Sequence, residues 1–412
     1  MHYVWQHRLW LPGDLTTVDG EHVDVIDPGL HNTDAGPDFF NAKVRIGADM
    51  WAGNVEIHVR ASDWMRHGHQ NDSAYDTVIL HVVETDDCRV ARRDGGQIPQ
   101  IVMSCARDFS RSYDEMVNNP AAALACAGEL ASLPQIYITD WLTALAFERL
   151  YTKADRIAEL VERLGGDWRE AIYVTFARAL GFHTNSDAFE RLALATPLSR
   201  LLRHQGAYET IEATLLGQAG LIPDVAAGTP EGDRAARLRA EHSFICTKYG
   251  LVPMRNPGWR MARMRPHNSP LRRISLLASL IAEGFALSHR IFSITGVDEA
   301  RKLFHTRQGN LGDSSINTLV INVVVPVMYA YGRYLGDSGM EERAIDILQA
   351  LPAEQNSVIR LFEAGGITCR DAFTGQALIE LRRNYCEPRK CLYCRMGHRF
   401  LAAKALRRHA AQ

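Results

Sequence analysis

Between Glu21 and Cys105, apolar and polar residues alternate with the two-residue period of strands that bury one face. Three stretches carry the pattern: VDVID at 23–27, DFFNAKVRI at 38–46 and WAGNVEIHV at 51–59. A fourth, TVILHVVET from Thr77, is more continuously apolar, as a strand covered on both sides must be, and is expected at the centre of a sheet. Gly47-Ala48-Asp49 suits a hairpin turn between the second and third strands. The polar segment ASDWMRHGHQNDSAYD before the fourth is long enough for a helix or an ordered loop. The order reads helix, three strands, helix, strand.

From about Asp108 the spacing becomes helical. ITDWLTALAFERLYTKADRIAELVERL and DWREAIYVTFARALGF place apolar residues three and four apart, with helix starts expected at Thr139-Asp140 and Gly166-Asp167. Gly228-Thr229-Pro230 and Asn256-Pro257-Gly258 read as loops. The 412 residues exceed what one hydrophobic core usually supports. The expectation is an α+β protein with a mixed-sheet α/β core over 1–107 and a large all-α region over 108–412 that ends in a cysteine cluster.

Composition narrows the setting. With 46% hydrophobic and 23% charged residues the chain is globular rather than disordered or fibrous. Its start, MHYVWQHRLWLPGDL, lacks the features of a secretory signal, and the longest apolar run, Leu319 to Tyr331, is interrupted by Asn322 and Pro326. A cytoplasmic protein with no membrane partner is expected. Eight cysteines, three of them crowded between 386 and 394, point to reduced thiols with one metal site rather than to a disulfide framework. A net charge of −2 gives no global pull on nucleic acid, so such a partner would be held by local patches.

The candidate chemistry starts at the hairpin. Centred on Gly47-Ala48-Asp49, it sets position 38 opposite 57 and so brings Asp38 beside Glu56. Alternation puts Glu56 and His58 on one face and Val55, Ile57 and Val59 on the other. Two carboxylates that close repel unless a cation or proton lies between them, and oxygen ligands suit Mg²⁺ or Mn²⁺. His58 could complete the site or move protons. The alternative is that Asp38 caps a turn and Glu56 is solvated. His67 and His69, in HGHQND with Asp72, could reach one Zn²⁺, support the acidic pocket, touch substrate, or simply be exposed in a loop. His81, inside an apolar strand, reads as a satisfied core histidine.

Gly36-Pro37-Asp38 followed by Glu56-Ile57-His58 resembles the PD-(D/E)XK nuclease superfamily, whose core has the same helix, three strands, helix, strand order. The resemblance covers about the first 105 residues. It implies a restriction-endonuclease-like core, metal-ligand roles for Asp38 and Glu56, and the Ile57 carbonyl as a further ligand. His58 stands where the superfamily usually has lysine, which permits an inactive descendant. The whole chain also resembles an uncharacterised bacterial family, the domain of unknown function 2851 family, through AGPDFFNAKVRI, GNVEIHVRASDW, TVILHVV and YCEPRKCLYC. That likeness names no activity.

Cys386-x4-Cys391-x2-Cys394 places three thiols around a Pro388 turn, a pattern suited to Zn²⁺ or an iron–sulfur cluster, although three unligated thiols would look the same. A fourth ligand is left open among His398, Cys369 and Cys126. A remote Cys126 would loosely resemble iron–sulfur nucleases, whose spacings differ. From Arg382 onward there are nine Lys or Arg against one acidic residue, Glu387. A second basic segment holds Arg255, Arg260, Arg263, Arg265, Arg272 and Arg273 around Trp259, suited to phosphate contact with base stacking, or equally to a solvated face or internal ion pairs. The function expected is a metal-dependent phosphodiester hydrolase acting on DNA or RNA. The alternative is a non-catalytic nucleic-acid-binding or assembly protein on a degenerate nuclease-like core.

Overall fold

A computed structural model of the chain describes all residues except 9, 11–14, 33, 104–112, 115–117, 119–123, 227, 262–268, 307–310 and 402–412. The chain is an α+β protein that divides into two compact units, Met1–Tyr137 with Tyr385–Gln412, and Ile138–Asn384. This differs from the division expected at 107/108. The cysteine-bearing C-terminal segment joins the N-terminal unit because Cys391 and Leu401 pack with Tyr3, Tyr113 and Cys126.

The N-terminal unit opens with helix α1 (His2–Gln6) and contains strands β1 (Val23–Asp27), β2 (Leu30–His31), β3 (Phe39–Ile46), β4 (Asp49–Arg60), β5 (Val78–Thr85) and β6 (Gln100–Val102). The sheet order is β1-β3-β4-β5-β6, with β2 paired to β3. β1, β3 and β4 form an antiparallel meander, and β5 and β6 add parallel. β5 has a partner on each side and six consecutive buried residues, as its unbroken apolar run requires. One face of the sheet buries Trp5, Phe39, Val55, Ile57, Leu80, Val82 and Ile101. A smaller cluster holds Trp64, Tyr75, Val78, Val90 and Ile98. Between β4 and β5 the chain forms helix α2 (Asp63–Arg66) and two 3-10 turns, His69–Asn71 and Ser73–Tyr75.

The β3–β4 hairpin turns at Gly47, whose positive φ of 58° a residue without Cβ adopts freely. It starts in the expected register, Ile46 opposite Asp49, but ends with Phe39 opposite Val55. The shift is a bulge at Asn41, which takes φ 56° and donates its N–H to Asn54 Oδ1 at 3.2 Å. One extra residue in β3 therefore sets Asp38 against Glu56 rather than against Ile57.

The second unit is helical. Its main helices are α3 (Gln135–Arg163, entering from the first unit), α4 (Trp168–Leu180), α5 (Ser186–Ala195), α6 (Tyr208–Gln218), α7 (Pro230–Tyr249), α8 (Pro270–Ala282), α9 (Asp313–Leu319), α10 (Val325–Leu335), α11 (Ser338–Ala350), α12 (Ser357–Ala364) and α13 (Ala372–Glu380). Asp167 caps α4 by accepting from the N–H groups of Arg169 and Glu170, and Thr229 caps α7 through Gly232 N–H. α3 begins at Gln135, a turn earlier than Thr139-Asp140 suggested, directly after Pro134.

Helices α9 and α10 are continuous through a π-helical stretch, Val320–Val324. Pro326 lacks the N–H that would bond the Asn322 carbonyl, and Val325 N–H reaches back to Val320 instead. Among the described residues, Asp313–Leu335 is therefore a single helical stretch long and apolar enough to cross a membrane, with mean hydropathy 1.4, but 72% of its apolar window is buried inside the protein.

Candidate active site

The Asn41 bulge brings two carboxylates together across β3 and β4. Asp38 N–H donates to Glu56 Oε2 at 3.1 Å, and Ile57 N–H donates to Asp38 Oδ2 at 2.9 Å, so each acid is held by the other's strand. Glu56 is 5% exposed, which excludes a solvated strand residue, while Asp38 keeps an open edge. Ile57 turns its side chain into the core on the opposite face, as alternation required. His2 of α1 closes the site from above, its Nε2 2.9 Å from Asp38 Oδ2. Burial alone would raise the Asp38 carboxyl; the His2 hydrogen bond and charge and the Ile57 N–H outweigh it and hold the group below its ordinary range. Burial, and then the charge on Asp38, push the Glu56 carboxyl up to about 8. Near neutral pH Glu56 thus carries a proton unless a cation offsets its neighbour.

Three imidazoles gather round Glu56. His58 Nε2 and His69 Nε2 lie 3.4 and 3.3 Å from Glu56 Oε1, and His67 Nδ1 lies 3.2 Å from His58 Nε2. One ring nitrogen from each of His58, His67 and His69 falls within 4.8 Å of the others, close enough to share an ion. His58 is on β4, while α2 and the following 3-10 turn deliver His67 and His69. Tyr75 stacks on His69 with centroids 3.8 Å apart, and Trp64 packs edge-on to both His69 and His81. Burial, then the neighbouring imidazoles, lower His58 to about 3, and His69 also lies below its usual value, first through burial and then through His67. His58 and His69 are thus neutral rings near pH 7. The His69 Nε2 atom is buried with no hydrogen-bond partner and faces the acidic oxygen. An orphaned nitrogen beside a carboxylate and two further imidazoles fits a divalent cation.

A second set of residues fixes how His58 presents itself. Gln100 donates its amide NH₂ to Asp86 Oδ1 at 2.5 Å and to the Cys88 carbonyl at 3.2 Å, both pure acceptors, so its oxygen must face His81. His81 Nδ1 lies 2.9 Å from that oxygen and therefore carries the proton, which leaves His81 Nε2 as acceptor. His58 Nδ1, 2.9 Å away, must then donate to it. The lone pair of His58 is thereby assigned to Nε2, the atom beside Glu56 and His67. His81 is the satisfied core histidine expected, and it also sets a tautomer.

Sequence reasoning missed His2, Tyr75, Gln100 and Asp86. Only the polar Gln100 within the apolar IPQIV segment could have signalled a buried partner.

The cysteine segment belongs to the same unit. Cys391 and Cys394 are buried, Cys386 is half-buried, and Cys126 packs into the apolar cluster around Cys391. Burial, then the neighbouring Cys394 and Cys391, push the Cys126 thiol up to about 12. Of the other candidates, His398 Nδ1 bonds the Tyr3 hydroxyl. Cys369 lies in the helical unit and bonds the Asp371 carbonyl at 3.6 Å. Cys126 is the distant thiol the fold brings in.

The basic segment of the helical unit divides. Arg263 and Arg265 lie outside the described residues. Arg260 and Arg272 are exposed. Arg273 is 2% exposed, its guanidinium 4.3 Å above the Phe182 ring, so it is a packing residue rather than a surface phosphate contact. Trp259 donates its Nε1–H to the Ala219 carbonyl at 2.8 Å and packs edge-on to Phe189, which removes it as a stacking platform.

Comparison with curated proteins and with solved structures gave no match. A family model described as protein of unknown function (DUF2851) matches residues 1–310 and 305–357, most of the chain, and the protein belongs to that family.

Proposed function

We propose that the N-terminal unit is a metal-dependent phosphodiester hydrolase, a nuclease acting on DNA or RNA in the cytoplasm, built on a PD-(D/E)XK-like core. The observation that carries the reading is the convergence of Asp38 and Glu56 beside the nitrogens of His58, His67 and His69. The strand order, an antiparallel meander extended by a parallel strand after a short helical segment, supports it. Asp38, Glu56 and the three imidazoles would hold the ion, and a donor set of oxygen and imidazole favours Mn²⁺ or Zn²⁺ over Mg²⁺. Such an ion supplies a Lewis acid that activates water and counters charge on the phosphate. Asp38, pinned by Ile57 N–H, presents its open edge to substrate. His2, at 2.9 Å from Asp38 Oδ2, is placed to exchange a proton there. Trp64 and Tyr75 shut water from the rear of the histidine cluster. We further propose that Cys126, Cys386, Cys391 and Cys394 hold Zn²⁺ or an iron–sulfur cluster, and that exposed Lys390, Arg395 and Arg399 beside them contact nucleic-acid phosphates.

The test is cleavage of single- and double-stranded DNA and RNA by the purified protein with Mn²⁺, Mg²⁺, Zn²⁺ or chelator. Metal-dependent cleavage lost in both Asp38→Ala and Glu56→Ala supports the reading, and cleavage retained in both defeats it. A second reading, nucleic-acid binding without turnover, is favoured by His58, a neutral ring where an ammonium would stabilise developing charge. Salt-sensitive binding with no product under any metal would select it.

A further inference from the structure

The helical unit contains a cavity of about 550 Å³, within the range of small-molecule sites, whose walls come from α3, α4, the π-helical stretch and α13. Six of its lining residues are Lys or Arg and two are carboxylates, Glu190 and Glu354. Arg156 and Arg178 are paired with Glu190, while Lys153, Arg149 and Arg383 form a separate basic group. Lys153 Nζ donates to Asn322 Oδ1 at 2.9 Å and Gln376 Oε1 at 2.7 Å, and Arg149 Nε donates to the same Gln376 oxygen at 2.7 Å. Gln376 is oriented by donating its NH₂ to Glu354 Oε2 at 2.7 Å. Among the described residues Lys153 has no carboxylate partner within ion-pair distance; neutral amides hold it. Arg149 is paired with Glu380, at 3.1 Å, while Arg383 is exposed at the rim. Asn322 lies within the π-helical stretch, a distortion frequent at functional sites.

Two further features mark the cavity. Phe182 and His183 line it and both adopt positive φ, 41° and 74°, a strained pair for non-glycine residues that is held in place by the buried Arg273 guanidinium and by Ser186. Ile157, Leu160 and Ile379 add apolar surface to the lining. Cationic groups with apolar surface beside them suit an organic group that carries phosphate.

We propose that this cavity binds a phosphorylated organic ligand of mononucleotide size, its phosphate held by Lys153, Arg149 and Arg383. A bound phosphate would bring an anion into direct contact with Lys153, whose own contacts are the amide oxygens of Asn322 and Gln376, and would add negative charge beside Arg149 and Arg383. Lys153 sits lowered to about 7, through burial first and then Arg149, with Arg383 acting in the same sense against Glu354 and Glu380. Binding near that pH should therefore draw a proton on to Lys153.

The experiment is isothermal titration of the full chain with inorganic phosphate, nucleoside mono- and triphosphates, and a short oligonucleotide with either a 5′-phosphate or a 5′-hydroxyl. A nucleotide is expected to bind about tenfold or more tightly than inorganic phosphate. Lys153→Met and Arg383→Gln are each expected to weaken it by about tenfold or more, and Lys153→Arg to retain it. Titrations in HEPES and Tris should differ in heat by the protons exchanged, and the share taken up by Lys153, beyond what the ligand phosphate itself exchanges, should be lost in Lys153→Met. Preference for the free nucleotide or for the 5′-phosphorylated oligonucleotide identifies the source of the phosphate. Arg383 is exposed, so its variant folds and keeps the test decisive. Binding of every probe unchanged in Lys153→Met and Arg383→Gln, or no binding by the folded wild-type chain, overturns the proposal.

Discussion

Replacing Gln100 by Leu keeps most of the side-chain volume but removes the oxygen that assigns the His81 and His58 tautomers. Gln100 is 1% exposed and His81 is fully buried, so water cannot substitute for the lost acceptor. In either tautomer His81 Nδ1 is left buried without a partner, which should destabilise the metal-free protein by about 1–3 kcal/mol. His81 is then released to carry its proton on Nε2. In that form it donates to His58 Nδ1, and the His58 proton moves to Nε2, the atom that would face the proposed ion. Restoring the productive tautomer on metal binding opposes the same hydrogen-bond preference, which corresponds to about 10–100-fold in affinity, the usual size of an outer hydrogen-bonding defect. Urea unfolding in EDTA measures the first effect, and calorimetric titration with Mn²⁺ and Zn²⁺ measures the second. Wild-type metal affinity in Gln100→Leu, alongside loss of binding in His69→Ala, would refute the tautomer relay while leaving the site itself in place.

Three further outcomes follow from the geometry. Gly53→Ala is expected to destabilise the sheet by about 1–3 kcal/mol, because its Cβ would lie 2.5 Å from Ile79 Cγ2 and 2.7 Å from the Thr77 carbonyl, a backbone atom that also accepts Asn54 N–H; urea unfolding checks this. Lys153 is lowered in the folded state, so the penalty for burying its charge is fully present below about pH 7 and fades as pH rises towards its unfolded value. The stability advantage of Lys153→Met over wild type should therefore be larger at pH 6 than at pH 9.5, by about 2–3 kcal/mol, whatever constant offset the orphaned Gln376 and Asn322 oxygens add. Cys126→Ser should lower bound zinc or iron, measured by plasma mass spectrometry, with visible absorption separating a cluster from zinc; unchanged metal content would remove Cys126 from the ligand set.

The strands were legible because a two-residue period is a local property: β1 spans the VDVID segment, and β5 begins one residue after Thr77. The facing of Glu56 and His58 followed from the same alternation. The register did not, because a single Asn41 in left-handed conformation adds a residue to β3, and an asparagine inside a strand pattern announces this only weakly. The histidines of HGHQND were visible as candidates, but their union with Glu56 depends on how one short helix folds back over β4. Arg273 and Trp259 looked available because basic residues and an aromatic share a segment; packing against Phe182 and Phe189 decided otherwise. The cationic cavity left no local mark at all. Lys153 meets Asn322 and Gln376 across 169 and 223 residues of chain, and only the tertiary fold makes them neighbours.

Helix α1 connects the two candidate centres of the N-terminal unit. Consecutive residues diverge: His2 reaches Asp38, and Tyr3 bonds His398 in the cysteine segment, four residues beyond Cys394. Trp5 anchors the same helix, fully buried in the main core with its Nε1–H donated to the Pro28 carbonyl at 2.9 Å. Five residues are too few for a helix to stand by itself, so its position is set by these three contacts rather than by its own hydrogen bonds. The Trp5 contact belongs to the sheet core and holds the helix near the site. The Tyr3 contact belongs to the cysteine segment, where Cys391 and Leu401 pack with Tyr3, Tyr113 and Cys126. A metal held by the proposed cysteine set would therefore also steady His2 over Asp38, through Tyr3 and helix α1, and so link the two proposed sites of this unit.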